Sequence, residues 1–280
     1  MEVNDKGLKR KPPDYNALRP QFGWLPVDII KKTFEATTQF ARLPISTHLK
    51  ERFKSPFPAC NVLRRNENVA TDTIFADVPA IDDGSRCAQI FVGLKSGVVD
   101  AYGVKSDKQF VPTLEDNIRR RGAPDGLISD CAQAETSHKV QDILRAYHIA
   151  DWQSEPHRQQ QNPAERRYQT VKHLVNTIMD RVSAPAYTWL LCLLYVCFIL
   201  NCTVCGAIGN RVPYTVMTGR TSDISPLLYF YFWEPVYYKE DDTSFPSTSP
   251  EKRGRFVGIA EHVGHAMTFK ILTYDTNKVI

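Results

Sequence analysis

Residues 87–104 read CAQIFVGLKSGVVDAYGV, two largely apolar runs on either side of the short turn Lys95-Ser96-Gly97. Two strand-like runs joined by a glycine-containing turn predict a β-hairpin. The preceding stretch 69–75 (VATDTIF) alternates along its length in the way that a strand with one buried face does. We therefore expect three antiparallel strands in this part of the chain.

The residues after the hairpin predict two helices that alternate with two short strands. Apolar residues recur at helical spacing within 106–121 and again within 137–147. Residues 127–129 and 149–152 are short, strand-like segments. The order β-β-β-α-β-α-β, followed by further helices, predicts an α/β fold with a five-stranded mixed sheet in the ribonuclease-H-like arrangement.

Composition divides the chain into three regions. Residues 1–67 are predicted to be a basic N-terminal extension and linker, since residues 1–66 carry 13 Lys/Arg and only 6 Asp/Glu. Residues 68–232 form the α/β core. Residues 233–280 are predicted to be a small C-terminal β-rich region, truncated because the sequence stops at Ile280 within a strand-like stretch.

Residues 189–200 (WLLCLLYVCFIL) form an unbroken apolar run that resembles a membrane span. Crossing a bilayer takes about 20 such residues, and shorter runs are more often buried core helices. We predict a core helix here and no membrane association. The polar N-terminus is unlike a secretory signal, and the odd number of cysteines, 7, argues against a disulfide framework, so an intracellular protein is expected.

Three acidic residues have the positions that a divalent-cation site requires. Asp72 lies in the first predicted strand, Asp130 directly follows the fourth, and Glu165 begins the helix after a polar loop; the three lie 58 and 35 positions apart. Mg²⁺ prefers oxygen ligands from carboxylates. Two such ions about 4 Å apart support phosphoryl transfer between DNA strands. Asp77 is an alternative first acid.

The sequence around these acids resembles integrases of the retroviral and retrotransposon superfamily, which carry an Asp, Asp, Glu triad. Residues 129–135 (SDCAQAE) are similar to the family motif S-D-N-G-x-E. Residues 155–167 (EPHRQQQNPAERR) are similar to P-H-x-P-Q-x-N-G-x-x-E-R. The spacing between Asp130 and Glu165 also matches that of the family.

Later segments resemble copia-type long-terminal-repeat retrotransposons more specifically. Residues 211–219 (RVPYTVMTG) are similar to the K-T-P-x-E-x-W-x-G segment of copia-type polyproteins. Residues 223–227 (DISPL) and 252–258 (KRGRFVG) are similar to D-x-S-x-L and G-x-F-V-G-Y. The resemblance covers about residues 69–275.

The resemblance implies an integrase catalytic core in which Asp72, Asp130 and Glu165 bind two Mg²⁺ (or Mn²⁺) ions and catalyse DNA integration. Such an enzyme is a polynucleotidyl transferase and endonuclease that trims the ends of the element's DNA and joins them to target DNA. The resemblance also implies DNA as the partner, a homo-oligomer, and a location in the nucleus and cytoplasm.

Basic residues on the helix that begins at Glu165 are candidate DNA-binding residues. Lys172 lies seven positions, or two helical turns, after Glu165 and therefore on nearly the same face. The family carries a basic residue there that meets the DNA end. Arg166, Arg167 and His173 flank that face and are the further candidates.

The chain also departs from the family. Cys131-Ala132 and Asn162-Pro163 replace Asn-Gly pairs beside the second and third acids, and the glycines would supply backbone freedom near the metals. Residues 1–68 contain only His48 and Cys60 where the family has a zinc module of two His and two Cys. The alternative function is therefore a catalytically decayed DNA-binding remnant, here part of a larger retrotransposon polyprotein.

Two other interpretations are less favoured. A DNA transposase or nuclease of the same superfamily would share the three acids but would not explain the segments after residue 211. Cys202, Cys205, His262 and His265 have the types and spacing of zinc ligands, but Cys202 ends an apolar helix and no second cysteine pair accompanies it.

Overall fold

The computed structural model describes residues 13–41, 55–106, 109–129, 137–153, 163–240, 250–261, 263 and 267–280. The α-helices are α1 Val27–Ala36, α2 Phe110–Arg121, α3 His138–Ala146, α4 Pro163–Val182, α5 Trp189–Cys202 and α6 Pro213–Thr218. The β-strands are β1 Asn68–Phe75, β2 Cys87–Gly93, β3 Val99–Val104, β4 Gly126–Ser129, β5 Ala150–Gln153, β6 Pro235–Lys239, β7 Glu251–Ile259 and β8 Phe269–Thr273.

Strands β1 to β5 form one mixed sheet in the order β3-β2-β1-β4-β5. The pairs β1–β2 and β2–β3 are antiparallel, whereas β4 lies parallel to both β1 and β5. Parallel neighbours require crossover connections, and α2 and α3 provide them. This sheet order with helices on both faces is the ribonuclease-H-like arrangement, so the fold predicted from the sequence is confirmed.

One face of the sheet is covered by α4 and α5. Ala70 and Ile74 of β1 share a core cluster with Val171, Val175 and Ile178 of α4. The three α4 residues recur at intervals of four and three, which places them on one side of the helix. Successive side chains of a strand point to opposite faces, so the odd-numbered residues of β1 face the other way, towards α2 and α3.

Helix α5 is buried on nearly all sides rather than along one stripe. Its buried residues include Leu190, Cys192, Tyr195, Cys197 and Ile199. A helix that is apolar all round is a core helix or a membrane helix. None of the described helices is both long and apolar enough to cross a membrane. Burial raises the pKa of the Cys192 and Cys197 thiols, which suits their role as small core residues.

The N-terminal segment 13–41 packs into this same core, although the sequence predicts only a basic extension and linker there. Phe22 and Ile30 are both fully buried in the α4–α5 cluster. The Tyr195 hydroxyl donates to the Gln21 carbonyl at 2.9 Å. Helix α1 ends at Ala36, and Thr38 forms a bridge to Asp223 instead of a further helical turn.

Strands β6 to β8 form a separate antiparallel sheet in the order β6-β7-β8, which confirms the predicted C-terminal β-rich region. Phe256 of β7 packs edge-to-face against Tyr195 of α5, with ring centroids 5.7 Å apart. Strand β7 begins at Glu251, which pairs with Lys239 at the end of β6. The small sheet is thus joined to the main core through α5.

A buried polar network also joins the core to the segment after β7. Arg121, at the end of α2, pairs with Asp100 of β3 at 2.6 Å, and their side chains are only 6% and 4% exposed. Arg121 also donates to the Tyr214 hydroxyl at 2.6 Å, and that hydroxyl donates to Glu261 at 3.1 Å. Burial alone would lower the pKa of Arg121, but Asp100, Tyr214 and Glu261 together outweigh it and raise the pKa. Arg120 forms a further ion pair with Glu261.

Candidate active site

Asp72 lies in the middle of β1, the central strand of the five-stranded sheet, opposite Ile90 of β2. It is half-buried, and its Oδ1 accepts a hydrogen bond from the Thr73 backbone N–H at 2.8 Å. Because it lies between Ala70 and Ile74, its side chain belongs to the sheet face that α4 covers. The central strand therefore presents a carboxylate on the α4 side.

Glu165 lies in the first turn of α4 and is half-buried. The residue before it, Ala164, is fully buried in the same core cluster as Ala70 and Ile74. The start of α4 therefore belongs to the core on the sheet face that carries Asp72. The structure therefore brings the predicted first and third acids to the same side of the sheet.

Asp130 lies outside the described residues, and so do the neighbouring residues of its motif and the polar loop before Pro163. The residue before it, Ser129, is the last of β4 and is buried. Within the described part of the chain, no group of three His, Cys, Asp or Glu side chains lies in a position to hold a metal ion. Two of the three predicted acids, Asp72 and Glu165, are therefore the ones whose placement is known.

Asp77, the alternative first acid, lies beyond the end of β1 and is exposed. The loop that contains it is held by the Trp189 indole N–H, which donates to the Val78 carbonyl at 2.8 Å. Asp77 thus lies in the connection between β1 and β2, which contacts the start of α5. Asp72 differs in lying within the sheet itself, on the face that α4 covers.

Lys172 and His173 are exposed on α4, as is Arg166. The Lys172 ammonium lies over the Tyr168 ring, 5.9 Å from its centroid. Tyr168 lies between Glu165 and Lys172 along the helix and is half-buried against the core. These positions leave Lys172 accessible on the helix side that carries Glu165.

Arg167 has a different environment from the other three basic candidates. Its Nη2 donates to the Gly97 carbonyl in the β2–β3 turn at 3.4 Å, and its Nη1 lies 4.0 Å from the Cys205 sulphur. Its Nε is buried and has no partner among the described residues. The guanidinium is therefore directed towards the body of the protein, where it connects α4 to the end of α5.

An exposed aromatic residue, Trp152, was not singled out from the sequence. It lies on β5, directly opposite Ile128 of β4, and is 48% exposed. A tryptophan in a short strand is more often part of the core. Trp152 is exposed because β5 lies at the edge of the sheet. Its place on the α4 side of the sheet makes it a neighbour of the candidate site.

A cavity of about 520 Å³ lies elsewhere, between α5, β3 and the small C-terminal sheet. Its walls combine apolar residues of α5, such as Leu194 and Phe198, with the charged residues Arg120 and Glu261. None of the predicted catalytic or DNA-binding residues lines it.

Neither a protein-family model nor a curated protein sequence matches the chain. Several solved structures match the chain. A chain of the simian T-cell lymphotropic virus intasome in complex with the PP2A regulatory subunit B56 gamma is 17% identical, with a TM-score of 0.44, over 78% of this chain and 80% of that chain. The HTLV-2 integrase catalytic core domain in complex with magnesium is 18% identical, with a TM-score of 0.43, over 56% and 99% of the two chains. The BIV integrase catalytic core domain is 19% identical, with a TM-score of 0.42, over 55% and 95%.

The chemistry available at the α4 side of the sheet follows from the types of its residues. Asp72 and Glu165 offer carboxylate oxygens, the donors that a hard divalent cation prefers. Cys202 and Cys205, the cysteines of the less favoured zinc interpretation, lie at and just beyond the end of α5, and His262 and His265 lie outside the described residues. The donors near the start of α4 thus suit Mg²⁺ better than they suit zinc.

Proposed function

We propose that this chain is an integrase of the copia-type retrotransposon kind, which processes DNA ends and joins them to target DNA. The observation that carries the proposal is that Asp72 and α4, whose first turn contains Glu165, lie on the same face of a ribonuclease-H-like sheet. The chain would act on DNA as a homo-oligomer, in the nucleus and cytoplasm.

The strand register supports Asp130 as the second acid. Strands β1 and β4 are parallel, and Ala70 lies opposite Ile128. Both are buried on the α4 side of the sheet. Asp72 follows Ala70 by two positions and Asp130 follows Ile128 by two positions, and Asp130 comes directly after the last residue of β4 in the sequence. We therefore propose Asp130 as the partner of Asp72.

Asp72, Asp130 and Glu165 are the residues that would hold two Mg²⁺ (or Mn²⁺) ions. When bound, such a pair of ions activates the attacking oxygen and stabilises the leaving one. Asp72 is held by the sheet and by its hydrogen bond from Thr73, and Glu165 by the packing of α4. Both ligands therefore lie on rigid elements, which favours a fixed geometry at the reacting phosphate.

The test is a joining assay with the full chain, a supercoiled plasmid and a labelled duplex oligonucleotide. We expect nicking of the plasmid and covalent transfer of the label in Mg²⁺ or Mn²⁺, and neither in EDTA. DNA binding that weakens with salt, without any metal-dependent cleavage in either ion, would contradict the proposal and identify the chain as a decayed DNA-binding remnant.

Lys172 is expected to contribute to DNA binding through one phosphate contact. Replacing Lys172 by alanine should weaken the affinity for duplex DNA several-fold and make its dependence on salt shallower by about one unit of log–log slope. Fluorescence anisotropy at several salt concentrations measures both. Lys139→Ala is the matched control, because Lys139 is an exposed lysine on α3, which covers the opposite face of the sheet. Equal effects of the two changes would show that Lys172 acts only through net charge.

A further inference from the structure

Three residues lie side by side across the parallel part of the sheet. Ala70 of β1 is opposite Ile128 of β4, and Ile128 is opposite Trp152 of β5. Directly opposite residues in a sheet point to the same face. Ala70 and Ile128 are both buried on the α4 side, so Trp152 belongs to that side as well.

The neighbour of Trp152 supports this orientation independently. Asp151 accepts a hydrogen bond from Gln141 of α3 at 2.7 Å, and α3 packs on the opposite face of the sheet. Because successive residues of a strand alternate, Trp152 must point away from α3. Two separate contacts thus place its indole on the face that carries Asp72.

The burial of these residues changes sharply across the sheet. Ala70 is fully buried and Ile128 is 9% exposed, but Trp152 is 48% exposed. Strand β5 is the edge of the sheet, and all four of its residues are exposed. A large aromatic side chain is costly to leave in water, whereas the same site would accept almost any smaller polar residue. The position therefore offers an uncovered, flat apolar surface.

The distance from Trp152 to Asp72 is short enough for one bound DNA strand to contact both residues. Strands lie about 4.8 Å apart, so β5 is about 10 Å from β1 across the sheet. Asp72 is two residues beyond the row that contains Trp152, a rise of about 7 Å along the strand. The two offsets combine to about 12 Å, the length of roughly three or four nucleotides at the spacing of about 3.4 Å in a duplex strand.

We propose that Trp152 is a stacking platform for an unpaired base of the DNA strand that occupies the candidate active site. Every nucleobase has a flat π face, so an indole accepts any of them and favours a frayed end over a blunt duplex. The indole would hold the end of the strand open beside the acids after its base pair has separated. The proposal rests on the proposed integrase function, because the indole and the candidate acids would contact the same bound DNA strand.

The probe is an oligonucleotide duplex with 2-aminopurine in a three-base unpaired end, compared with a blunt duplex of the same length. Binding is measured in EDTA with the full chain carrying Glu165→Gln, so that no cleavage occurs. We expect the 2-aminopurine emission to be quenched, and the frayed duplex to be bound more tightly than the blunt one. Trp152→Leu should remove the quenching and reduce the preference roughly 5- to 100-fold, the range for one base–aromatic stack.

Two further variants serve as controls for this measurement. Trp152→Phe retains a flat ring and should keep most of the preference, which a general loss of folding would not allow. Phe75→Leu is the matched control, because Phe75 is also exposed, at 73%, at the same end of the sheet but on the opposite face. It should behave like the parent chain.

Equal preference in the parent and in Trp152→Leu would overturn the proposal. So would a change of sedimentation with Trp152→Leu at unaltered DNA binding, since that would make the indole an interface between copies of this chain. Because the assay contains no metal, a failure of the joining reaction leaves its outcome unaffected. Conversely, an active enzyme whose Trp152→Leu variant stacks bases normally would refute only the stacking role.

Discussion

Replacing Glu165 by glutamine, or Asp72 by asparagine, is expected to reduce DNA joining at least about 1,000-fold, since the acids of a metal site act as a unit. Each change keeps the shape of the side chain but removes its negative charge, so a divalent cation loses a ligand while the packing is retained. Glu165 is half-buried at the start of α4, and only the neighbouring Ala164 enters the core. The measurements are the joining assay for activity and thermal unfolding for stability, which should change little.

Asp77→Asn is the control for the first acid. Asp77 is exposed and lies beyond the end of β1, outside the sheet that carries Asp72. It should therefore join DNA as well as the parent chain does. Loss of activity with Asp77→Asn and not with Asp72→Asn would move the first ligand from the strand to the loop. Full activity of Glu165→Gln would remove the metal-dependent mechanism altogether.

The variant Asp130→Asn tests whether Asp130 is the second acid of the candidate metal site. It should reduce joining as strongly as Glu165→Gln, because each acid would contribute to the same pair of ions. The DNA affinity measured in EDTA should not fall, since removal of a carboxylate lowers the repulsion of the phosphates. A variant that joins DNA normally would exclude Asp130 and with it the assignment of the S-D motif at residues 129–130.

The sheet could be predicted from the sequence because its signals are local. The hairpin 87–104 has its own turn, and the strand 69–75 has its own alternation, so each could be recognised within a few residues. The helices α2 and α3 likewise show their apolar spacing within three turns. The order of these segments then left few possible topologies, since parallel strands need helical crossovers.

The packing of the N-terminal segment could not be predicted in the same way. Phe22 and Ile30 belong to the apolar stretch 22–30 (FGWLPVDII), and nothing near them in sequence shows what covers them. Their burial depends on α4 and α5, more than 130 positions later. A local pattern does not identify a packing partner so distant in the sequence, which is why the sequence predicts only an extension and linker there.

The basic residues of α4 illustrate a further limit. Arg166, Arg167 and Lys172 look alike in the sequence, but the structure separates them by their position around the helix. Arg167 contacts Gly97 and Cys205, residues that come close only through the fold. Lys172 remains accessible beside Glu165. Helical spacing predicts which residues share a face, but it does not show which face meets the rest of the protein.

Replacing Arg121 by methionine is expected to destabilise the folded chain by about 3–5 kcal/mol, the usual effect of removing one partner of a buried ion pair. Asp100 would keep its carboxylate at 4% exposure without the guanidinium that now lies 2.6 Å away. Tyr214 would lose its contact with Arg121 as well. Urea unfolding followed by circular dichroism measures the change in the free energy of unfolding. Arg119→Met is the matched control, because the Arg119–Asp116 pair is 85% and 53% exposed and should contribute less than about 1 kcal/mol.

A double variant shows whether the unpaired charge, rather than the lost volume, causes the instability. Arg121→Met combined with Asp100→Leu removes both charges, and replacing a buried ion pair by apolar residues is often neutral or stabilising. The double variant should therefore be more stable than Arg121→Met alone. Glu261 keeps its ion pair with Arg120 in either case, so the connection to the segment after β7 is not lost. If the double variant is less stable than the single one, the network contributes through its geometry and packing. The instability of Arg121→Met would then not arise from the unpaired charge of Asp100.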